Sequence, residues 1–255
     1  MPLFDATAAQ FDLHRAFPEG IAEAIRRAVW SSVKVDHPAR VLDLGAGTGR
    51  IGRAFVAAHD AYFGADLSLG MLQEFKASMV EATPVLVQAD GDRLPFPGET
   101  FAIVMLIQVL SGVEDWRGLL SEVRRVLRPG GYIIAGHTAM PGEGVDRRMK
   151  ARLNEILERM GVESRRGRHR RDAALVWLEE HARHHRHCVP ASWKAERTPR
   201  QFLARHRTGA QFSALPLETQ AAALDELTDW AFAEFQSLDA VFHQQHSFEL
   251  DIFEF

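Results

Sequence analysis

Between residues 40 and 137 the apolar positions fall in short blocks rather than long stripes. Five runs recur, Val41–Leu44, Ala61–Ala65, Val85–Gln88, Ile103–Ile107 and Tyr132–Ala135, and amphipathic segments or turn residues separate most of them. Short apolar runs suit strands buried on both faces, and the stretches between them suit helices laid over those faces. The alternation predicts βαβ units around a parallel sheet. Ahead of it, Pro18–Val35 reads as a helix with Ile21, Ala24, Ile25, Ala28 and Val29 on one face. Leu127-Arg128-Pro129-Gly130-Gly131 stops a helix that begins near Trp116, because proline and paired glycines cannot continue it.

Past His137 the pattern changes. Residues 145–161 predict an amphipathic basic helix, Arg165–Arg171 a charged loop or helix start, and Asp172–His185 a further helix. A strand over Cys188–Arg197, a short helix over 198–206 and a strong helix over Leu217–Phe235 follow. From Ser247 to Phe255 apolar and polar residues alternate with period two, which predicts a strand half-exposed on one face. Neither an internal repeat nor a low-complexity linker interrupts the chain, so one domain with an insertion is expected rather than two domains.

The sharpest local signal is Val41-Leu42-Asp43-Leu44-Gly45-Ala46-Gly47-Thr48-Gly49-Arg50. A buried strand runs into a turn with glycine at every second position, and a helix follows. Such glycines let backbone approach a ligand, and a helix amino end offers free N–H donors. The dinucleotide fingerprint G-x-G-x-x-G would need its third glycine at Arg50, so the turn suits the amino-acid part of a small nucleoside better than a pyrophosphate. Asp43, Asp66 and Asp90 each fall at or near the end of one of the first three runs, 23 and 24 residues apart, about one βα unit. At a strand's carboxyl end Asp66 can accept both hydroxyls of a ribose, and Asp90 can accept from the exocyclic amine of an adenine. Taken singly, Asp66 could equally cap the helix opened by Leu67-Ser68, and Asp90 a turn.

Together these residues resemble the class I S-adenosylmethionine-dependent methyltransferases, in the small-molecule branch that includes quinone-biosynthesis and natural-product enzymes. The glycine turn is matched by 41–49, the ribose acid by Gly64-Ala65-Asp66-Leu67-Ser68, and the adenine site by Asp90-Gly91-Asp92-Arg93-Leu94-Pro95-Phe96. Phe101-Ala102-Ile103-Val104 matches the fourth strand and 127–131 the turn before the fifth. The resemblance covers about residues 10–137. It implies a Rossmann-like, seven-stranded, mostly parallel sheet with helices on both faces and a reversed final strand, which the period-two tail could supply. It implies S-adenosyl-L-methionine as cofactor, held by Asp43, Gly45, Ala46, Gly47, Asp66, Leu67, Asp90 and Gly91, with Met71 packed on the adenine and Gln108 within reach of cofactor or acceptor. Many relatives carry Asp where Ala102 stands here, and a His-His pair where this chain has Ser111-Gly112.

Methyl transfer to a small-molecule acceptor by in-line displacement is therefore the expected activity. His137, just past the fifth apolar run, is the best-placed base or acceptor contact, and His14 and Arg15 could close over the cofactor carboxylate. The expected division is an N-terminal cap helix (1–36), a cofactor-binding core (37–137), a helical substrate cap inserted after strand 5 (138–185), and strands with a helix completing the sheet (186–255). Met149, Leu153, Ile156, Leu157 and Met160 recur at helical spacing and are expected to line an apolar acceptor pocket, or else to pack on the sheet.

Composition narrows the alternatives. With 46% apolar and 25% charged residues the 255-residue chain has a globular profile. Its lone Cys188 permits no internal disulfide, and its start lacks a secretory pattern, so a cytoplasmic, membrane-free protein is expected. The net charge of −4 conceals a basic stretch: residues 147–171 hold ten Lys/Arg against three acids. That stretch keeps a tRNA-modifying methyltransferase open as an alternative and suggests an anionic acceptor, although few aromatics interleave it and nucleic acid is not the favoured partner. A cofactor-binding module without catalysis is the other alternative. His181, His184, His185 and Cys188 would share one face of a continued helix, but with no second ligand cluster a solvated face explains them better and no metal is expected.

Overall fold

The computed structural model describes residues 16–36, 38–140, 142–163, 166–207, 212 and 214–255. Seven strands form one sheet: β1 (Val41–Leu44), β2 (Tyr62–Asp66), β3 (Val85–Gln88), β4 (Phe101–Ile107), β5 (Leu127–Ala139), β6 (His184–Arg197) and β7 (Phe242–Glu254), in the order β3-β2-β1-β4-β5-β7-β6. All neighbours are parallel except β7, which runs antiparallel to both β5 and β6. The sheet is thus the mostly parallel one expected, with the C-terminal tail as its reversed strand. Strand order turns back between β1 and β4, and ligands of open α/β sheets bind beyond the carboxyl ends at such a point.

Helices cover both faces. On one side lie α1 (Ile21–Ser32), α2 (Gly52–Ala57) and α3 (Leu69–Ala77), burying Ile25, Val29, Phe55 and Phe75 against the sheet. On the other lie α4 (Trp116–Val126) and α6 (Arg166–His181), which bury Leu120, Val123, Ala174 and Leu178. Asp115 caps α4, its carboxylate accepting from Gly118 N at 2.9 Å. The proline–glycine stop after α4 falls where expected, but its residues already belong to β5. Leu127 pairs with Phe101, and Gly130 N donates to Phe255 O at 2.8 Å, so the last strand begins the ladder there.

Two expectations fail in the region past β5. The helix over 172–185 ends at His181, and His184–Cys188 pair with Leu250–Glu254 as strand. His181, His184, His185 and Cys188 therefore share no helix face, because sheet pairing wins over helical continuation. Among the described residues the apolar stripe of α5 (Val145–Arg159) is covered mainly by later helices, not by the sheet or by a pocket. Met149, Leu153, Ile156 and Leu157 are buried against Phe202 and Leu203 of α7 (Pro199–Arg207) and Leu227, Ala231 and Phe235 of α8 (Leu217–Phe235), while Met160 is 39% exposed. An apolar stripe must be covered, and 199–235 brings faces that cover it. The third core cluster so formed draws on two insertions, one after β5 and one between β6 and β7. Of the predicted cap, α6 lies instead on the sheet.

β6 and β7 overrun their neighbour. β5 ends opposite Ser247, yet β7 and β6 continue pairing as a two-stranded ribbon out to Phe242 and Arg197. This ribbon carries the cap helices beyond the carboxyl edge of the sheet. Among the described residues no helix is long and apolar enough to cross a membrane.

Candidate active site

The turn after β1 is held against β2 by backbone. Gly45 N and Ala46 N both donate to Ala65 O, at 2.8 and 3.1 Å. A Cβ at Gly45 would stand 2.2 Å from Val109 Cγ2, and one at Gly49 would stand 2.3 Å from the Phe75 ring, so packing requires glycine at both. Gly47 differs. A Cβ there would meet only the Gly45 carbonyl, at 4.0 Å, and the residue needs glycine for its φ of 56° alone. The open side of the turn is at Gly47.

Asp66, at the end of β2, faces this opening with a fixed carboxylate. Oδ2 accepts from Gly47 N and Oδ1 from Ser68 N, both at 2.8 Å. The helix-cap role falls to Ser68 instead, whose Oγ accepts from Met71 N at 3.2 Å. A carboxylate offers about four lone-pair sites, enough for two backbone donors and two vicinal hydroxyls.

Asp43 lies beneath the turn, 3% exposed, and accepts from the Tyr62 hydroxyl at 2.8 Å through Oδ2. Its Oδ1 is buried with no hydrogen-bond partner among the described residues. Burial pushes the carboxyl up to about 7 against the opposing effect of the Tyr62 bond, and the Asp66 charge adds to the rise. The same burial, with the Asp43 charge next, holds the Tyr62 phenol well above its ordinary value. A buried acid with an unused oxygen is an unstable arrangement unless something cationic or donating completes it. The residues present thus fit a small nucleoside with an amino-acid end: one open turn, one fixed acid and one buried acid with an unused oxygen.

Asp90 follows β3 as an exposed residue whose carbonyl accepts from Arg93 N at 3.0 Å. The loop beyond is pinned from α4: Glu122 accepts from Leu94 N at 2.8 Å, and Arg125 donates to Leu94 O and Phe96 O. Gly91 sits over Leu119, where a Cβ would come within 3.0 Å of Cδ1. Met71 is buried in the first turn of α3, and Leu67 is 53% exposed.

Gln108 follows β4 directly with a left-handed φ of 58°, uncommon for a residue with a side chain. Its amide bridges two elements, accepting from Arg50 at 3.1 Å and donating to Thr138 Oγ1 at 3.0 Å. The Arg50 guanidinium lies 4.3 Å over the Phe17 ring. His137 is placed differently from its neighbour Thr138. It pairs across the ladder with Glu249, with Nε2 3.6 Å from the carboxylate, on the sheet face away from Thr138. Burial, then the Arg171 charge, lowers its pKa against the opposing pull of Glu249 and Asp251. His14 and Arg15 lie outside the described residues. Sequence reasoning missed Tyr62, Thr138 and Phe17. Only Tyr62 left a signal, as a polar-tipped ring opening an apolar strand.

Much of the basic stretch is matched by acids. Arg148 pairs with Glu234, Arg159 and Arg152 with Glu226, and Arg170 with Glu114.

The sequence profile described as "Methyltransferase domain" matches residues 42–135, the span from β1 to β5 that carries the turn and all three acids. Residues 42–135 are thus similar to a methyltransferase domain. A demethylmenaquinone methyltransferase of Streptomyces griseus is 36% identical over 142 residues, covering 54% of this chain and 60% of that protein. The ubiquinone/menaquinone biosynthesis C-methyltransferase UbiE of Desulfotalea psychrophila is 32% identical over 149 residues, covering 56% of this chain and 59% of that one. The match spans about 60% of the length of these curated relatives. The likeness in fold extends further than the likeness in sequence. A candidate methyltransferase of Bacillus halodurans C-125 superposes with a TM-score of 0.57 at 19% identity, over 92% of this chain and 98% of that one. The YcgJ protein of Bacillus subtilis gives 0.52 at 17% identity, over 90% and 97%.

Proposed function

We propose that this protein transfers a methyl group from S-adenosyl-L-methionine to a small-molecule acceptor. The observation that carries the reading is the Asp66 carboxylate, fixed by Gly47 N and Ser68 N beside the one open glycine of the turn. When bound, the cofactor supplies an activated methyl group on a sulfonium, so alignment and exclusion of water are the protein's main tasks. Asp66 would receive the ribose hydroxyls. Asp43, with its unused oxygen, would receive the cationic end of the amino-acid part beneath Gly45, Ala46 and Gly47. Asp90 and Gly91, with Leu67 and Met71, would border the adenine. Gln108 holds Arg50 to Thr138 at the mouth, and these groups would bound the space where acceptor meets methyl. The acids facing the basic stretch reduce its use as a tRNA surface, which favours a small acceptor, and a reduced quinone ring is the first class to test. Cytoplasmic placement follows from the same reading.

Calorimetry decides the cofactor. S-adenosylmethionine and S-adenosylhomocysteine are expected to bind at least about 100-fold more tightly than NAD, and comparable NAD affinity would overturn the assignment. Conversion of S-adenosylmethionine to S-adenosylhomocysteine, followed across reduced quinones, phenols and tRNA, then separates a small-molecule enzyme from a tRNA enzyme. Tight cofactor binding without turnover on any of them would point to a binding module.

A further inference from the structure

A second buried polar cluster lies where the β6–β7 ribbon meets the cap. Asp146, in the first turn of α5, is fully buried. Arg205 of α7 stands 3.1 Å and Arg197 of β6 3.4 Å from its carboxylate. Lys150, one turn further along α5, feels the Arg205 and Arg168 charges and has its pKa lowered, chiefly by burial. Arg197 and Arg205 converge on the Asp146 carboxylate, with Lys150 close enough to feel the Arg205 charge, so several cationic groups gather in a poorly hydrated place. Such a gathering is costly unless anions complete it.

Two neighbours on β7 point the same way. Gln244 is 5% exposed, and neither its amide oxygen nor its amide nitrogen has a hydrogen-bond partner among the described residues. His246 is 2% exposed with Nε2 likewise unpartnered; burial lowers its pKa, and the Arg197 charge adds to the effect. Native proteins rarely bury polar groups unsatisfied, so these are groups waiting for a partner. Opposite Gln244 and His246 on the ribbon stand Ala195 and Trp193.

The cluster is continuous with the cofactor mouth. Trp193 contacts His246 at 5.7 Å and Phe17 at 5.8 Å between ring centroids. Phe17 in turn packs edge-on against Phe248, which pairs with Thr138, and underlies Arg50. Aromatic faces therefore lead from the Arg50–Gln108–Thr138 bridge to the cationic cluster.

We propose that the methyl acceptor is a small aromatic molecule bearing an oxyanion, carboxylate or phosphate, which Lys150, Arg197, Arg205 and Gln244 bind while its ring lies along Trp193 and Phe17. The proposal rests on the methyltransferase reading. Arginine and lysine around a planar or tetrahedral oxyanion give the charge-assisted hydrogen bonds that select it over a neutral isostere.

The test uses the full chain loaded with S-adenosylhomocysteine and titrated with benzoate, phenyl phosphate and the neutral benzamide. At least one anion is expected to bind saturably and at least tenfold more tightly than benzamide; which one does so names the oxyanion. Lys150→Met and Gln244→Leu are expected to bring that anion down to the level of benzamide while S-adenosylhomocysteine affinity stays within twofold. A purely structural cluster would instead change thermal stability and leave the preference between anion and amide as it was. Equal binding of anions and benzamide by the parent protein, or an undiminished preference in both folded variants, overturns the proposal. Failure of S-adenosylhomocysteine itself to bind would count against the methyltransferase reading instead.

Discussion

Replacing Asp43 by asparagine should make the protein more stable and a poorer binder of its cofactor. The carboxyl is buried and its value is raised from 3.8 to about 7. At about 1.4 kcal/mol per pH unit, the ionised form costs about 4 kcal/mol in the folded state. Because the folded value lies above the unfolded one, stability falls as pH rises from about 4 to about 7 and is level beyond. The asparagine side chain would keep an oxygen to accept from the Tyr62 hydroxyl and would carry no charge. Allowing about 1 kcal/mol for the weaker hydrogen bond, the gain above pH 7 is about 2–3 kcal/mol, or roughly 5–10 °C in Tm for a chain of this size. Thermal unfolding of parent and variant at pH 5 and pH 8 measures it, and the gain should be clearly larger at pH 8. Calorimetry at pH 8 should show S-adenosylhomocysteine affinity falling at least tenfold, since the unused oxygen no longer offers a charge. A variant less stable at pH 8, or equally stabilised at both pH values, would refute the reasoning. Stability would then not be limited by the buried charge.

Asp66→Ala removes the carboxylate that Gly47 N and Ser68 N hold; cofactor affinity should fall by about 2–4 kcal/mol by calorimetry in a variant that still folds. Gly49→Ala forces a Cβ to 2.3 Å from the Phe75 ring at a φ of 81°; denaturant unfolding should show a loss of about 2–4 kcal/mol. His137→Asn should lower kcat less than about tenfold, because His137 faces Glu249 rather than Gln108 and Thr138; a loss of about 10²–10⁴ would restore it as general base.

The cofactor half was legible because backbone does most of the positioning there. Strands β1 and β3 begin and end where the apolar runs do, and the acids stand at strand ends because side chains leave a strand at fixed intervals. Asp66 was readable as a ribose acceptor or a helix cap, and the structure separates the two by giving the cap to Ser68. The helix expected over 172–185 misled because alternating His and Arg carry no period of their own, while the partner strand that draws them into pairing arrives more than 50 residues later. The α5 stripe was rightly read as buried and wrongly given a ligand to face, since the helices that cover it come later in the chain. Gln244 and His246 lie in the stretch just ahead of the alternating tail, and nothing local marks them as buried.

The same contrast explains why the match to the methyltransferase-domain profile stops within β5. Groups that meet a constant ligand are placed by strand ends and a turn, so their spacing is held in any chain with this sheet. Groups that would meet the acceptor are placed by side chains reaching across elements, as Arg197 and Arg205 reach to Asp146. A buried ion pair is weak support for stability, since an apolar replacement of equal volume often does as well or better. The Asp146 cluster therefore has little reason to be there as glue alone, given that Met149, Leu153, Phe202 and Leu227 already bury the apolar faces of the same helices. It does fix where the guanidinium groups of the ribbon and of α7 stand relative to the carboxyl edge of β5. A charged cluster that adds little to stability but sets positions beside the site of group transfer is better understood as part of the acceptor's recognition than as part of the fold's support.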